Sequence, residues 1–346
     1  MYRLLIVDDS PYYRMRFAKI FARSESLTVA GLADDGDVAI RQIIELKPDV
    51  VLLDLMMPRM DGFGVLRWVM AHQPLPIVVC SSFSDRERVF KALELGAVDF
   101  LLKPAPRASP QTSALETHII RCVEQAVGAK TAPPSVISKN AKAAVLAAER
   151  EARKAEIELI CIAASTGGPS AIQKLIAELP EPLRVPIIVV QHMPIGFTQP
   201  FADRLNALSH YTVREARDGE TLRRRHVYVA PAGKHATVES DQDAKVIRIT
   251  GAMAGDFHLP SADAVFESAA AAVGDKLLAV VLTGMGEDGA RGAEAVRAAG
   301  GCVLAESNES AVVFGMPRAV IERGCANAML PLAAMPQVLL AYVVKE

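Results

Sequence analysis

The stretch LICIAASTGGPSAIQKL, Leu159 to Leu175, decides how the carboxyl-terminal half of the chain is read. Leu159 to Ala163 is a short apolar run of the kind that forms a strand buried on both faces, and Pro169 to Leu175 opens a helix with an apolar side. Ser165, Thr166, Gly167 and Gly168 lie between them. A serine at the carboxyl end of a parallel strand presents its hydroxyl to the crevice where such sheets bind ligands. The paired glycines permit a tight turn and a close backbone approach. The turn lacks the G-x-S-x-G order of a nucleophile elbow. A nucleophilic serine, a phosphate cradle and a plain tight corner are all compatible with these residues alone.

Two further strand ends carry chemistry. Val185 to Val190 delivers Gln191-His192-Met193-Pro194, and Leu277 to Leu282 runs into the glycine-rich loop Thr283 to Gly289, which contains Met285 and Asp288. Serine, histidine and aspartate thus stand at three strand ends of one expected sheet. In a triad the imidazole takes the serine proton while the carboxylate fixes its tautomer, and loop amides hold the oxyanion. His226 to Ala230 and Lys245 to Thr250 are expected to be further strands, joined as an antiparallel edge through turns at Gly233 and Asp241. His258 precedes Pro260, and Ser261 is placed to cap a helix over 262–272.

The amino-terminal half alternates strands and helices over about 125 residues, the pattern of a doubly wound sheet. Its strands end in polar residues: Asp8-Asp9 after Leu4–Val7, Asp54 after Val50–Leu53, Ser81 after Ile77–Cys80, and Lys103 after Phe100–Leu102. Three carboxylates at one sheet edge repel strongly unless a hard divalent cation such as Mg²⁺ neutralises them. With Lys103 and the Ser81 hydroxyl, such a cluster can hold a phosphoryl group.

The chain has 346 residues, enough for two domains, and 51% of them are hydrophobic. No apolar run reaches the roughly 20 residues of a bilayer span, and the acidic amino terminus has no signal-peptide form. A cytoplasmic protein that is not membrane-inserted is expected. The formal charge of −2 provides no positive field for nucleic acid. The five cysteines form no C-x-x-C pair, so neither a disulfide framework nor structural zinc is indicated. Ala105 to Pro110 and Gly128 to Pro134 read as connecting chain, and Ala141 to Ala155 as a helix spacing two domains. The expected division is 1–125, a linker over 126–156, and 157–346.

The first half resembles the receiver domain of two-component response regulators through VDDS (7–10), LLDLMMPRMDG (52–62), Ser81-Ser82 and LELGAVDFLLKP (93–104). The resemblance implies a flavodoxin-like fold, Asp54 as phosphoacceptor, and Asp8, Asp9 and Asp54 as ligands of the Mg²⁺ needed for phosphorylation. It also implies Ser81 as the responding hydroxyl, Phe100 at the aromatic switch position, Lys103 as the cationic partner, and a sensor histidine kinase as phosphodonor. In that family the bond equivalent to Lys103-Pro104 is typically cis.

The second half is similar to the catalytic domain of chemotaxis protein-glutamate methylesterases. The matching blocks are IAASTGG (162–168), VVQHMPIGFTQPFADRL (189–205), YVAPAGKH (228–235), FHLPSADAVFES (257–268), VVLTGMGEDGA (280–290) and SAVVFGMPRAV (310–320). The implied fold is a larger, Rossmann-like parallel α/β domain with an antiparallel edge hairpin. The implied roles are Ser165 as nucleophile, His192 as base, Asp288 as orienting carboxylate, Met285 as oxyanion donor and Thr166 as a support for the imidazole. The implied activity is phosphorylation-activated hydrolysis of glutamate γ-methyl esters on chemoreceptors, with deamidation of receptor glutamines and no cofactor for the ester step. Leu259 stands where relatives usually carry a basic residue, and Glu306-Ser307-Asn308 replaces an A-Q-D type string; both blocks are expected to border the substrate cleft. A catalytically degenerate, phosphorylation-dependent docking protein and a nucleotide-binding second domain are the competing readings, although no G-K-[ST] motif supports the latter.

Overall fold

The computed structural model of the chain describes residues 1–82, 86–104, 112–129, 139–152, 156–181, 183–242, 244–252 and 259–343. The chain divides into two compact units, Met1–Ala132 and Pro133–Glu346. The expected connecting chain over 105–110, most of 128–134, and His258 lie outside the described residues.

In the amino-terminal unit the elements run β1 (Tyr2–Val7), α1 (Pro11–Phe21), β2 (Leu27–Ala33), α2 (Gly36–Leu46), β3 (Val50–Asp54), α3 (Gly62–His72), β4 (Ile77–Ser81), α4 (Arg86–Glu94), β5 (Asp99–Leu102) and α5 (Thr112–Ala126). The five strands are parallel in the order β2-β1-β3-β4-β5, the flavodoxin-like order. β3 and β4 are buried along their whole length, as a strand covered by helices on both faces must be. Asp35 and Asp61 start α2 and α3 by accepting from Val38 N and Gly64 N, caps worth about 1 kcal/mol each. The order places the ends of β1 and β3 at the switch point, where such sheets bind ligands.

The carboxyl-terminal unit runs α6 (Lys139–Ala152), β6 (Leu159–Ala164), α7 (Gly168–Glu178), β7 (Ile187–Gln191), α8 (Thr198–Leu208), β8 (Thr212–Glu215), β9 (Glu220–Thr221), β10 (His226–Val229), β11 (Lys234–Asp241), β12 (Ala244–Gly251), α9 (Ala262–Val273), β13 (Leu277–Val281), α10 (Ala290–Ala298), β14 (Cys302–Glu306), α11 (Met316–Glu322), β15 (Ala328–Leu330) and α12 (Met335–Val343). Its main sheet has seven parallel strands in the order β15-β14-β13-β6-β7-β10-β8. From β6 the chain moves to β7 on one side and later returns to β13 on the other. The crevice at the carboxyl end of β6 is therefore the switch point.

Two features differ from the sequence-based expectation. The antiparallel hairpin is β11 with β12, and it forms a separate sheet with β9 in the order β11-β12-β9. His226–Val229, expected in that hairpin, is a parallel strand of the main sheet between β7 and β8. The burial explains the difference. Val227, Tyr228 and Val229 are buried in succession, whereas Ala236 and Val238 of β11 alternate inward and pack with Ile247 against Phe266 and Ala269 of α9. The helix expected to space the domains is also docked. α6 packs on α12 and β15, buries Ala148 and Ala152, and accepts hydrogen bonds at Glu149 and Glu151 from Gln337 and Asn327. Among the described residues no helix is long and apolar enough to cross a membrane.

α9 and α10 approach so closely that only glycine fits at 292. A Cβ there would lie 2.6 Å from Phe266 Cβ and 3.0 Å from Asp263 Cα. Overpacking of this kind costs about 1–3 kcal/mol, and a unit of this size loses roughly 2–4 °C of melting temperature per kcal/mol. Gly292→Ala is expected to lower the calorimetric melting temperature by several degrees, whereas Gly251→Ala, where a Cβ meets nothing within 4 Å, leaves it unchanged.

Candidate functional site

At the switch point of the amino-terminal sheet, β1 ends in Asp8-Asp9, β3 in Asp54 and β5 leads into Lys103. Carboxylate oxygens of Asp8, Asp9 and Asp54 all lie within 4.8 Å of one another. Lys103 Nζ is 2.7 Å from Asp8 Oδ2 and 2.8 Å from Asp54 Oδ2. Burial pushes the Asp54 carboxyl up to about 6, against the hydrogen bond and charge of Lys103, which pull it down. Burial works against the Lys103 ammonium, but Asp54 and Asp8 outweigh it and raise its pKa. One ammonium does not balance three carboxylates. Asp8 Oδ2 is buried with no hydrogen-bond partner of good geometry. Hard oxygen donors with this surplus charge fit a divalent cation.

Ser81 is buried at the end of β4, and its Oγ lies 3.5 Å from Ser82 O. Phe100 is buried in β5. The cis peptide bond among the described residues is Leu259-Pro260; Lys103-Pro104 is not cis.

In the carboxyl-terminal unit the ladder places the candidate residues. Ala164 of β6 pairs with Gln191 of β7, and His192 N donates to Ala164 O at 3.2 Å. On the other side Ser165 N donates to Thr283 O at 3.1 Å. Ser165 and His192 therefore leave neighbouring strands side by side. The turn after Ser165 closes with Gly168 N on Ser165 O at 2.7 Å and needs Gly167 at φ +75°. Gly284 is required by proximity, since a Cβ there would fall 2.9 Å from Ser165 Cβ and 2.3 Å from Met316 Sδ.

His192 Nε2 lies 2.8 Å from Asp288 Oδ2. That carboxylate sits on the first turn of α9: Oδ2 accepts from Ala262 N at 2.7 Å, and Oδ1 accepts from Asp263 N and Ser261 Oγ, both at 3.0 Å. Burial alone would raise the Asp288 pKa. The hydrogen bond and charge of His192, then the backbone amides of Asp263 and Ala262, outweigh burial and hold it at about 2. An ionised carboxylate only accepts, so His192 carries a proton on Nε2, where it faces Asp288. Ser261 caps α9 as expected, through Ala264 N at 3.3 Å, and also donates to Asp288.

The sequence did not signal four supporting groups. Gln191 is buried, and its Nε2 donates to Ser165 O at 2.9 Å and His192 O at 2.8 Å, tying the two turns together. Asp263 Oδ1 accepts from Gly289 N at 2.9 Å and Gly292 N at 2.7 Å, so it caps α10 beside Asp288. Thr283 Oγ1 donates to Thr166 O at 2.9 Å; the bond seen at buried Thr166 thus runs through its carbonyl. Glu306, expected at the rim of a cleft, is fully buried. Its Oε2 accepts from Thr283 N at 2.7 Å and its Oε1 from Ser310 Oγ at 2.8 Å. β14 carries it under the Thr283 loop, and only Asn308 of that string is exposed. Among the groups around Asp288, the Ser261 position, placed to cap a helix, offered a signal in the sequence.

The depressed Asp288 pKa has a sign that can be tested. A carboxyl at about 2 when folded and near its ordinary value when unfolded adds stability above about pH 4 and loses it as pH falls toward 2. Urea unfolding of the native chain at pH 5 and pH 3 should show a loss that includes about 1 kcal/mol from this group, and Asp288→Asn should lack that component.

Comparisons with known proteins agree in both halves. The family described as CheB methylesterase matches residues 160–339, and the response regulator receiver domain matches residues 4–112. Protein-glutamate methylesterase/protein-glutamine glutaminase 3 of Geobacter sulfurreducens is 41% identical, covering 96% of this chain and 95% of its own. The protein-glutamate methylesterase/protein-glutamine glutaminase of Bacillus licheniformis is 39% identical over 100% of this chain and 99% of its own. The crystal structure of the Thermotoga maritima CheB methylesterase catalytic domain covers 54% of this chain and 100% of its own at 40% identity, with a TM-score of 0.53. The chain belongs to the CheB methylesterase family and carries a response regulator receiver domain ahead of its catalytic part.

Proposed function

We propose that the protein is a phosphorylation-controlled protein-glutamate methylesterase and protein-glutamine glutaminase. The observation that carries the reading is the His192–Asp288 contact of 2.8 Å, one ladder step from Ser165. Ser165 Oγ attacks the γ-carbonyl of a methylated glutamate on a chemoreceptor and gives its proton to His192 Nδ1. The imidazolium is supported through Nε2 by Asp288. Among the described residues the Met285 amide donates no backbone hydrogen bond, which suits it to the oxyanion. His192 returns the proton to the departing methoxide, and methanol leaves. Water deprotonated by His192 then cleaves the acyl-enzyme to free glutamate. A glutamine side chain passes through the same tetrahedral species and releases ammonia. Thr166, next to Ser165 in the turn, is assigned to helping position the His192 imidazole.

Control belongs to the amino-terminal unit, with the receiver over 1–125, the connecting segment over 126–156 and the hydrolase over 157–346. A sensor histidine kinase is the phosphodonor and Asp54 the acceptor. Asp8, Asp9 and Asp54 would hold Mg²⁺, whose charge offsets that of the incoming phosphoryl group. Lys103 pairs with the phosphoryl oxygens, and Ser81 and Phe100 respond to them. The setting is the cytoplasmic side of receptor arrays.

Methanol release from methylated receptor membranes tests the reading. Ser165→Ala is expected to bring release to background, while a docking protein would release none from the native chain either. Gly284→Ala, which pushes on Ser165, should lower kcat by roughly 100-fold with little change in KM. Acetyl phosphate with Mg²⁺ should raise the native rate and leave Asp54→Asn at its basal rate.

A further inference from the structure

The Lys103 ammonium has a third neighbour besides its two carboxylates. The ring of Tyr13, in the first turns of α1, faces Nζ at 4.7 Å from its centroid. The ring is itself held in place. Tyr12 meets it edge-on at 5.2 Å, and the buried Phe17 stacks beneath it at 6.2 Å. The same helix fixes the backbone beyond Lys103, because Arg16 Nη1 donates to Pro104 O at 3.2 Å. The side chain of Lys103 is 12% exposed, so this cation–π contact is largely desolvated, the situation in which such contacts are strongest.

We infer that Tyr13 is a positioning residue for Lys103 in the phosphorylated receiver. This rests on the proposed role of Asp54. Before phosphorylation Lys103 is held by Asp8 and Asp54. Phosphoryl transfer turns the Asp54 carboxylate into a neutral acyl linkage, and a cation bound at Asp8 competes for the other anionic partner. The Tyr13 face is consumed by neither event. It keeps the ammonium at the pocket while its partners change, so that the charge meets the phosphoryl oxygens. The contact uses the ring face and not the hydroxyl.

The test uses the full chain and the variants Tyr13→Phe and Tyr13→Leu. In Mg²⁺-free protein labelled at lysine Cε, the Lys103 methylene protons, identified by their loss in Lys103→Arg, should be ring-current shifted upfield in the native chain and Tyr13→Phe. In Tyr13→Leu that shift should disappear. Beryllium fluoride with Mg²⁺, a mimic of the bound phosphoryl group, should bind Tyr13→Phe within about 2-fold of the native affinity and Tyr13→Leu about 3- to 30-fold more weakly. Leu keeps apolar bulk against Phe17, so a merely structural ring would leave beryllium fluoride binding near the native affinity and overturn the inference. Weaker binding with an unchanged Lys103 shift would also overturn it. Should Tyr13→Leu melt early, Tyr13→Met, which also lacks a ring, is read in its place. Asp54→Asn separates the underlying reading: if it binds beryllium fluoride as the native chain does, the phosphoacceptor assignment fails, whatever the tyrosine variants show.

Discussion

One buried carboxylate organises the carboxyl-terminal unit. Asp288 accepts from His192, from the Ser261 hydroxyl and from the amides of Ala262 and Asp263. Charge-assisted hydrogen bonds are roughly twice as strong as neutral ones, and a helix N-terminus adds a favourable field. The anion is thereby kept charged inside the protein, and a single imidazole tautomer follows from it. The same carboxylate ties three elements together: the loop after β13, the start of α9 and the turn after β7. Asp263 repeats the device one step away by capping α10. Gly292 lets those two helices close up at that point. The local stability of the sheet edge and the chemistry expected of it therefore depend on the same bonds.

The amino-terminal unit relies on the opposite condition, a charge left in excess. Asp8 and Asp54 share one largely desolvated ammonium with the exposed Asp9 beside them, and burial keeps Asp54 near 6 despite it. A pocket in this state has a strong electrostatic reason to take up a divalent cation, and then an oxyanion beside that cation. Ordering of Lys103 by Tyr13 and of Pro104 by Arg16 means that the positive side of the pocket is prepared in advance. The two units thus show two treatments of buried carboxylates. Asp288 is satisfied by fixed donors, whereas the Asp54 cluster is left open to ligands.

Much of this was legible in the residues. Apolar runs that stop at a polar residue mark the ends of parallel strands, and those ends carry Asp8, Asp54, Ser165 and His192 to two sheet edges. The periodicity could not separate a strand inside the main sheet from one in a hairpin. The run His226–Val229 is short enough for either, and only its burial on both faces assigns it to β10. Glu306 was misplaced for a related reason. A charged residue at a strand end reads as a rim residue, yet here the strand ends beneath a loop amide that it accepts from. Gln191 gave no signal at all, because its role is set by the spacing of two turns that are distant in sequence.

The central claim is that Ser165 is a nucleophile activated by His192 on an Asp288 support. The most direct measurement is the site of covalent labelling by a fluorophosphonate, mapped by peptide mass spectrometry in the native chain and in His192→Ala. A single adduct is expected on Ser165, forming at least roughly 100-fold more slowly without the imidazole. Labelling elsewhere, or labelling of Ser165 at the same rate in His192→Ala, would contradict it.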